Sequence, residues 1–126
     1  MPPETNAAQT PAGPLGPRQA EVLDLLAYIY LDNDRPEKAA VLLAALEALG
    51  QADARRRVAL ALAQLRSGKP DAALATLERA LLQGGPNAPE TGAALHLVRA
   101  QALSALNRRP EAQAAMRAYV TMRAGA

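Results

Sequence analysis

Three breaks, written at nearly fixed spacing, constrain this chain more than any other feature. They read "YLDNDRPEKA" (30–39), "LRSGKPDAA" (65–73) and "LNRRPEAQAA" (106–115), each interrupting an apolar stretch with turn-forming residues and a proline. Pro36 and Pro70 stand 34 residues apart, as do Ala39 and Ala73, and Ala27 and Ala61; the third copy follows at 39, from Ala61 to Ala100 and from Ala73 to Ala112. A period of this size marks one supersecondary unit repeated along the chain, each copy burying its apolar face against the next. The five additional residues are expected in "QGGPNAPETGA" (83–93), a Gly/Pro-rich loop where insertion costs little.

The unit is helical. Alanine and leucine dominate, both strong helix formers, while Tyr28, Tyr30 and Tyr119 are the only aromatic residues in 126. Apolar residues recur at helical spacing: Leu23, Leu26, Ala27 and Tyr30 on one face of a first helix over about 19–32, Leu42, Leu43, Leu46 and Leu49 on a second over about 36–49. Between them "NDRPE" supplies turn formers, a proline suited to a first helical turn, and an acid suited to the positive helix end. Each break therefore closes a hairpin of two helices, and three breaks give three hairpins in an all-α fold. With no Phe or Trp, the hairpins bury mostly small side chains, which predicts modest stability that a bound partner would raise.

The pairs Ala27/Ala39, Ala61/Ala73 and Ala100/Ala112 let the two helices of each hairpin approach closely. These positions, with Leu23, Leu26, Tyr30, Leu43 and Leu46, resemble the tetratricopeptide repeat over residues 20–126. The later units depart from that pattern: Arg57 and His96 stand where it has a bulky aromatic, Arg99 where it has leucine and Gln64 where it has tyrosine. The resemblance implies repeats at about 20–53, 54–87 and 93–126 within a domain over 18–126, stacked as a short right-handed superhelix. It further implies a concave face lined by the first helix of each unit. Carried across, that face comprises Glu21, Asp24, Tyr28, Leu31 and Asp32; Arg55, Val58, Leu62, Leu65 and Arg66; and Ala94, Leu97, Gln101 and Ser104. Asp24, Tyr28, Leu31, Val58, Leu62, Leu65, Leu97 and Gln101 are the expected partner-binding residues. Their leucine and valine centre excludes a carboxylate clamp, which needs paired basic residues and asparagines, and favours an amphipathic helix as occupant.

A narrower resemblance lies in the helix opening "RQAEVLDLLAYIYLDNDRPEKAAVLLAAL" (18–46) and the closing "ALSALNRRPEAQAAMRAYVTM" (102–122), with its ladder of Ala112, Met116 and Tyr119. These are similar to the YscY (SctY) chaperones of bacterial type III secretion. That similarity implies custody of a small secreted protein of the YscX (SctX) kind and its delivery to the export gate. A translocator chaperone of the SycD type and a general tetratricopeptide scaffold remain alternatives.

Charge is distributed unevenly. Residues 1–53 carry eight acids and three bases, residues 54–126 four acids and eleven bases, so the repeat stack should be acidic at one end and basic at the other. "RRR" (55–57) reads as a solvated helix face rather than a nucleic-acid site, because no stacking aromatics accompany it. The first seventeen residues, proline-rich and without periodicity, read as a disordered arm and not as a secretory signal. The longest apolar run, "AAVLLAALEAL" (39–49), is too short to cross a bilayer. A soluble, cytoplasmic protein that does not insert in membranes is the expectation.

Nothing in the sequence assembles chemistry. There is no cysteine, hence no disulfide, thiolate ligand or thiol nucleophile. His96 is the single histidine and falls on a packing position; Ser67 and Ser104 are the only serines, and "GGP" (84–86) lacks the lysine and preceding strand of a phosphate loop. A non-enzyme without cofactor or metal is expected. Self-association is a further reading, since stacked repeats leave open ends. Met116, Tyr119, Val120 and Met122 of the last helix are the candidates, with core packing the favoured role for Met116 and Tyr119.

Overall fold

The structure, a computed structural model, describes residues 16–125. It consists of six α-helices: α1 (Pro17–Asp32), α2 (Pro36–Ala48), α3 (Ala54–Arg66), α4 (Pro70–Leu82), α5 (Pro89–Ala105) and α6 (Arg109–Gly125). Consecutive helices pack as three antiparallel hairpins, α1–α2, α3–α4 and α5–α6. The hairpins stack through α2 on α3 and α4 on α5, and α3 also touches α5 directly.

One local device makes all three breaks. Asp34, Gly68 and Asn107 occupy the same register position, and all have positive φ (59°, 79° and 61°). In each, the following amide reaches back five residues to close the helix: Arg35 N–H to the Tyr30 carbonyl at 2.8 Å, Lys69 N–H to Gln64 at 2.9 Å, Arg108 N–H to Leu103 at 2.9 Å. This is the Schellman closure, which needs a residue able to enter the left-handed region. Asp, Gly and Asn are the residue types that do so at least cost. Prolines then restart the chain at the first position of α2 and α4, where the missing amide costs no helical bond.

The core is built of alanine and leucine. Ala27, Ala39, Ala61 and Ala73 are fully buried where the paired helices cross, and Leu43, Leu46, Leu60, Leu77, Leu95 and Leu103 fill the space around them. Small residues at the crossings and leucines between them give close packing without a large aromatic.

Several details differ from the sequence-based expectation. Helix α1 begins at Pro17, with Gly16 as its cap and the Gln19 side chain accepting from the Gly16 amide at 2.8 Å, so the expected arm loses its last residue, Pro17, to the helix. The rest of the expected arm, residues 1–15, lies outside the described residues. Leu26 and Leu49, expected on buried faces, are exposed; Ala20, Asp24, Ala27 and Leu31 form the buried stripe of α1 instead. The additional residues before the third hairpin do not all form loop. Helix α5 starts at Pro89, four residues before the register position of Ala54, and so adds a helical turn containing Glu90 and Thr91.

The "RRR" segment is a further correction. Arg56 and Arg57 are mostly buried, with side-chain exposures of 14% and 13%, and only Arg55 is largely open. All three face the acidic first hairpin. Arg55 and Arg56 pair with Asp24, and Arg57 pairs with Glu47. The uneven charge distribution is thus partly spent inside the fold, joining repeat one to repeat two.

Candidate functional site

A cleft of about 240 Å³ runs across the first helices of the three hairpins. Its floor comes from Tyr28 and Leu31 on α1, Val58, Ala59 and Leu62 on α3, and Ala94 and Val98 on α5. Leu31, Val58 and Val98 are nearly buried while presenting an edge to the cleft, and Leu62 and Tyr28 are half-buried. Among the described residues the charged groups lining it are Arg55 and Glu90, and Thr91 adds a hydroxyl. The lining therefore demands an apolar occupant and offers one positive and one negative group to orient it.

Arg55 is held in place. Its Nη2 donates to Asp24 Oδ2 at 2.6 Å, its Nη1 donates to the Tyr28 hydroxyl at 2.6 Å, and the guanidinium lies 5.4 Å from the Tyr28 ring centroid. The Asp24 carboxylate raises the Arg55 pKa above its ordinary value, and burial raises that of Tyr28. The phenol and guanidinium thus keep their protonation through the neutral range. Helix α3 itself is fixed at its start by Asp53, whose Oδ1 accepts from the Arg56 amide at 2.8 Å.

A second cleft of about 540 Å³ shares Glu90 and Ala94 with the first and continues between α5 and α6 over Leu97, Tyr119, Met122 and Arg123. Met122 closes its end against Gly92: a Cβ at Gly92 would lie 2.5 Å from Met122 Cε. Tyr119 and Met122 thus face this cleft, while Met116 and Val120, at 39% and 56% exposure, point to solvent. Core packing was the expectation for Met116, and the structure places it outside.

Of the eight expected binding residues, Tyr28, Leu31, Val58 and Leu62 meet in the first cleft and Leu97 lies in the second. Asp24 is buried beneath the rim and acts on the cleft through Arg55. Leu65 packs beside the core of α3, α4 and α5, and Gln101 is exposed on α5; neither lines these two clefts. Glu90 and Thr91 are not among the expected residues, because "QGGPNAPETGA" reads as loop in the sequence whereas its last five residues belong to α5. Val98 is not among them either; it lies one residue beyond the carried-over Leu97.

Two of the positions that depart from the repeat pattern, Arg57 and Gln64, belong to a polar network. Glu47 at the end of α2 accepts from Arg79 Nε at 2.8 Å and Nη2 at 3.1 Å, and from Arg57 Nε at 3.2 Å. Arg79 Nη2 donates at 3.2 Å to Thr76 Oγ1, which is fully buried and itself donates to Gln64 Oε1 at 2.7 Å. Arg57 by a charge-assisted bond to Glu47 and Gln64 by a neutral bond from Thr76, standing for an aromatic and a tyrosine, thereby tie α2, α3 and α4 together instead of ring packing. The bond from Arg79, with that from Arg57 behind it, lowers the Glu47 pKa against the opposing effect of burial. His96 is half-buried on α5, and its Nδ1 has no hydrogen-bond partner among the described residues. Burial, aided by the Arg99 charge, lowers its pKa and keeps the ring neutral.

Among the described residues, no group of three or more His, Asp and Glu could hold a metal ion, and no helix is long and apolar enough to cross a membrane.

Stacked hairpins with a cleft across their first helices define a helical-repeat fold. Residues 54–79 and 93–118 match the tetratricopeptide repeat family model. The first match covers α3 and most of α4, the second most of α5 and the first half of α6. These two segments thus match tetratricopeptide repeats, a protein-interaction module, and the first hairpin, outside the match, has the same closure at Asp34. Among curated proteins, none matches the chain.

Proposed function

We propose that the domain over 18–126 is a protein-binding chaperone whose cleft holds an apolar helical segment of a small partner. The observation that carries this reading is the continuous apolar floor of Tyr28, Leu31, Val58, Ala59, Leu62 and Val98, contributed by three successive repeats and bordered by Arg55 and Glu90. A helix laid along it buries its apolar stripe at about 25 cal/mol per Å². Arg55 and Glu90 set its direction and contribute to its affinity. Asp24 supports the site as a positioning residue for Arg55, and Leu97 extends it toward α6. Leu65 and Gln101 are not part of it.

The finer assignment is a cytoplasmic chaperone of a bacterial type III secretion system, of the YscY (SctY) kind, with a YscX (SctX)-like protein as partner and the export gate as destination. Its support is the resemblance of the opening helix, the turn into "EKAAVLLAAL" and the closing Ala112, Met116, Tyr119 ladder. A SycD-like chaperone or a general scaffold would use the same cleft with another partner. The role is physical custody, without catalysis or cofactor. Deleting the gene in the native cells and following secreted proteins tests the assignment. Loss of one small exported protein, with its intracellular level falling as well, is expected; an unchanged secretion profile would refute it.

A further inference from the structure

The side of α1 turned away from the hairpin is apolar and open. Val22, Leu25, Leu26 and Ile29 are 58%, 63%, 37% and 46% exposed. At about 100° per residue they form one stripe, on the opposite side of the helix from Ala27 and Leu31. Globular helices seldom leave four large apolar residues at i, i+3, i+4 and i+7 facing water.

The charges at the ends of the stripe identify its occupant. Arg18 lies at one end of the same face and Asp32 borders the other, both exposed, and neither forms an ion pair among the described residues. The apolar quartet is symmetric about the point between Leu25 and Leu26. A second α1 laid antiparallel would therefore set Val22 against Ile29, the central leucines against each other, and Arg18 of each copy beside Asp32 of the other. A parallel arrangement would put like charges together at both ends.

We propose that α1 is a self-association surface, pairing two copies of this chain antiparallel about a two-fold axis through Leu25 and Leu26. The interface is isologous and closed, so assembly stops at the dimer. It leaves the cleft free, because Tyr28 and Leu31 belong to other faces of α1. Four side chains are fewer than a standard interface of about 800 Å² per partner uses, so the dimer forms in the micromolar range or weaker.

The chain has no cysteine, which permits a direct test on the full-length protein. Leu25→Cys lies on the axis and should form a disulfide-linked dimer under mild oxidation. Arg18→Cys alone should not, since fourteen residues of helix separate it from Asp32 and hold two copies of position 18 about 21 Å apart. Mixing Arg18→Cys with Asp32→Cys should restore the crosslink. In sedimentation equilibrium, Arg18→Asp and Asp32→Arg should each weaken the dimer about ten-fold, and the double swap should return it to within about three-fold of wild type. Circular dichroism confirms folding of every variant, all of which alter exposed side chains. A chain that stays monomeric into the hundreds of micromolar, a species that grows beyond dimer, or an Arg18→Cys crosslink equal to that of Leu25→Cys would overturn the proposal.

Discussion

Arg55 on α3 donates to Asp24 on α1 across 2.6 Å, joining the first repeat to the second at the edge of the cleft. The carboxylate is nearly buried and the guanidinium almost half exposed, so the two partners are not equivalent. Removing Arg55 leaves Asp24 with Arg56 at 3.5 Å. Removing Asp24 leaves the buried Arg56 without a counter-charge. Asp24→Ala should therefore cost about 1–3 kcal/mol in urea unfolding, and Arg55→Ala less than about 1 kcal/mol. Equal losses would contradict this account of the rim.

The Glu47 network predicts an acid limit to stability. Its carboxyl pKa is lowered in the folded chain by the bonds from Arg79 and Arg57. The stabilisation is therefore complete above the unfolded carboxylate pKa of about 4.3 and is lost as pH falls through the lower folded value. His96 adds to it with the same sign, since its folded pKa is also lowered: its share is present above about 6.5 and is lost on acidification. Thermal melts should show a mild decline below about pH 6.5 and a steeper one below about 4.3. Glu47→Gln should flatten the steeper part, whereas His96→Gln should remove the milder one.

The turns offer an independent check on the fold. Gly68 has φ 79° with open space around the site of a Cβ, so Gly68→Ala suffers from backbone conformation alone, by about 1 kcal/mol. Asn107, at φ 61° in the equivalent turn, should gain from Asn107→Gly, by up to about 1 kcal/mol. Opposite signs at two register-equivalent positions, read from urea midpoints at constant slope, would show that the three breaks share one geometry. Equal signs would argue against it.

The added turn of α5 makes a prediction about binding. Glu90 and Thr91 line the cleft only because α5 begins at Pro89. Glu90→Lys should leave folding unchanged, since the side chain is exposed, while weakening capture of a partner by about ten-fold through reversal of one orienting charge. An unchanged affinity would remove Glu90 from the site.

The hairpins were legible in the sequence because turn chemistry is local. A proline with an Asp, Gly or Asn two or three residues before it dictates the closure regardless of what packs around it. The alanine pairs were legible for a similar reason, as close helix approach admits few residue types. Long-range pairing was not. Nothing near "RRR" indicates that Asp24 and Glu47 of another repeat neutralise it, so a solvated face was the natural reading. Leu26 and Leu49 looked buried because an apolar stripe wider than its packing surface gives no sign of where burial stops. The five-residue offset could be located but not divided between loop and helix, and Glu90 and Thr91 were missed on that account. The cleft was half legible: Tyr28, Leu31, Val58 and Leu62 follow from the repeat register, whereas Leu65 and Gln101 share that register without reaching the cleft.

The central claim is that the cleft across α1, α3 and α5 holds a partner helix. The most direct measurement compares wild-type protein, Leu62→Glu and Val41→Glu, each tagged and isolated from the native cells, with quantitative mass spectrometry of bound proteins. Leu62 is half-buried in the cleft floor, and Val41 is exposed outside it on α2; circular dichroism establishes that all three remain helical. The account predicts one small protein recovered in stoichiometric amount with wild type and Val41→Glu and lost with Leu62→Glu. Equal recovery with Leu62→Glu, or loss with Val41→Glu alone, would contradict it.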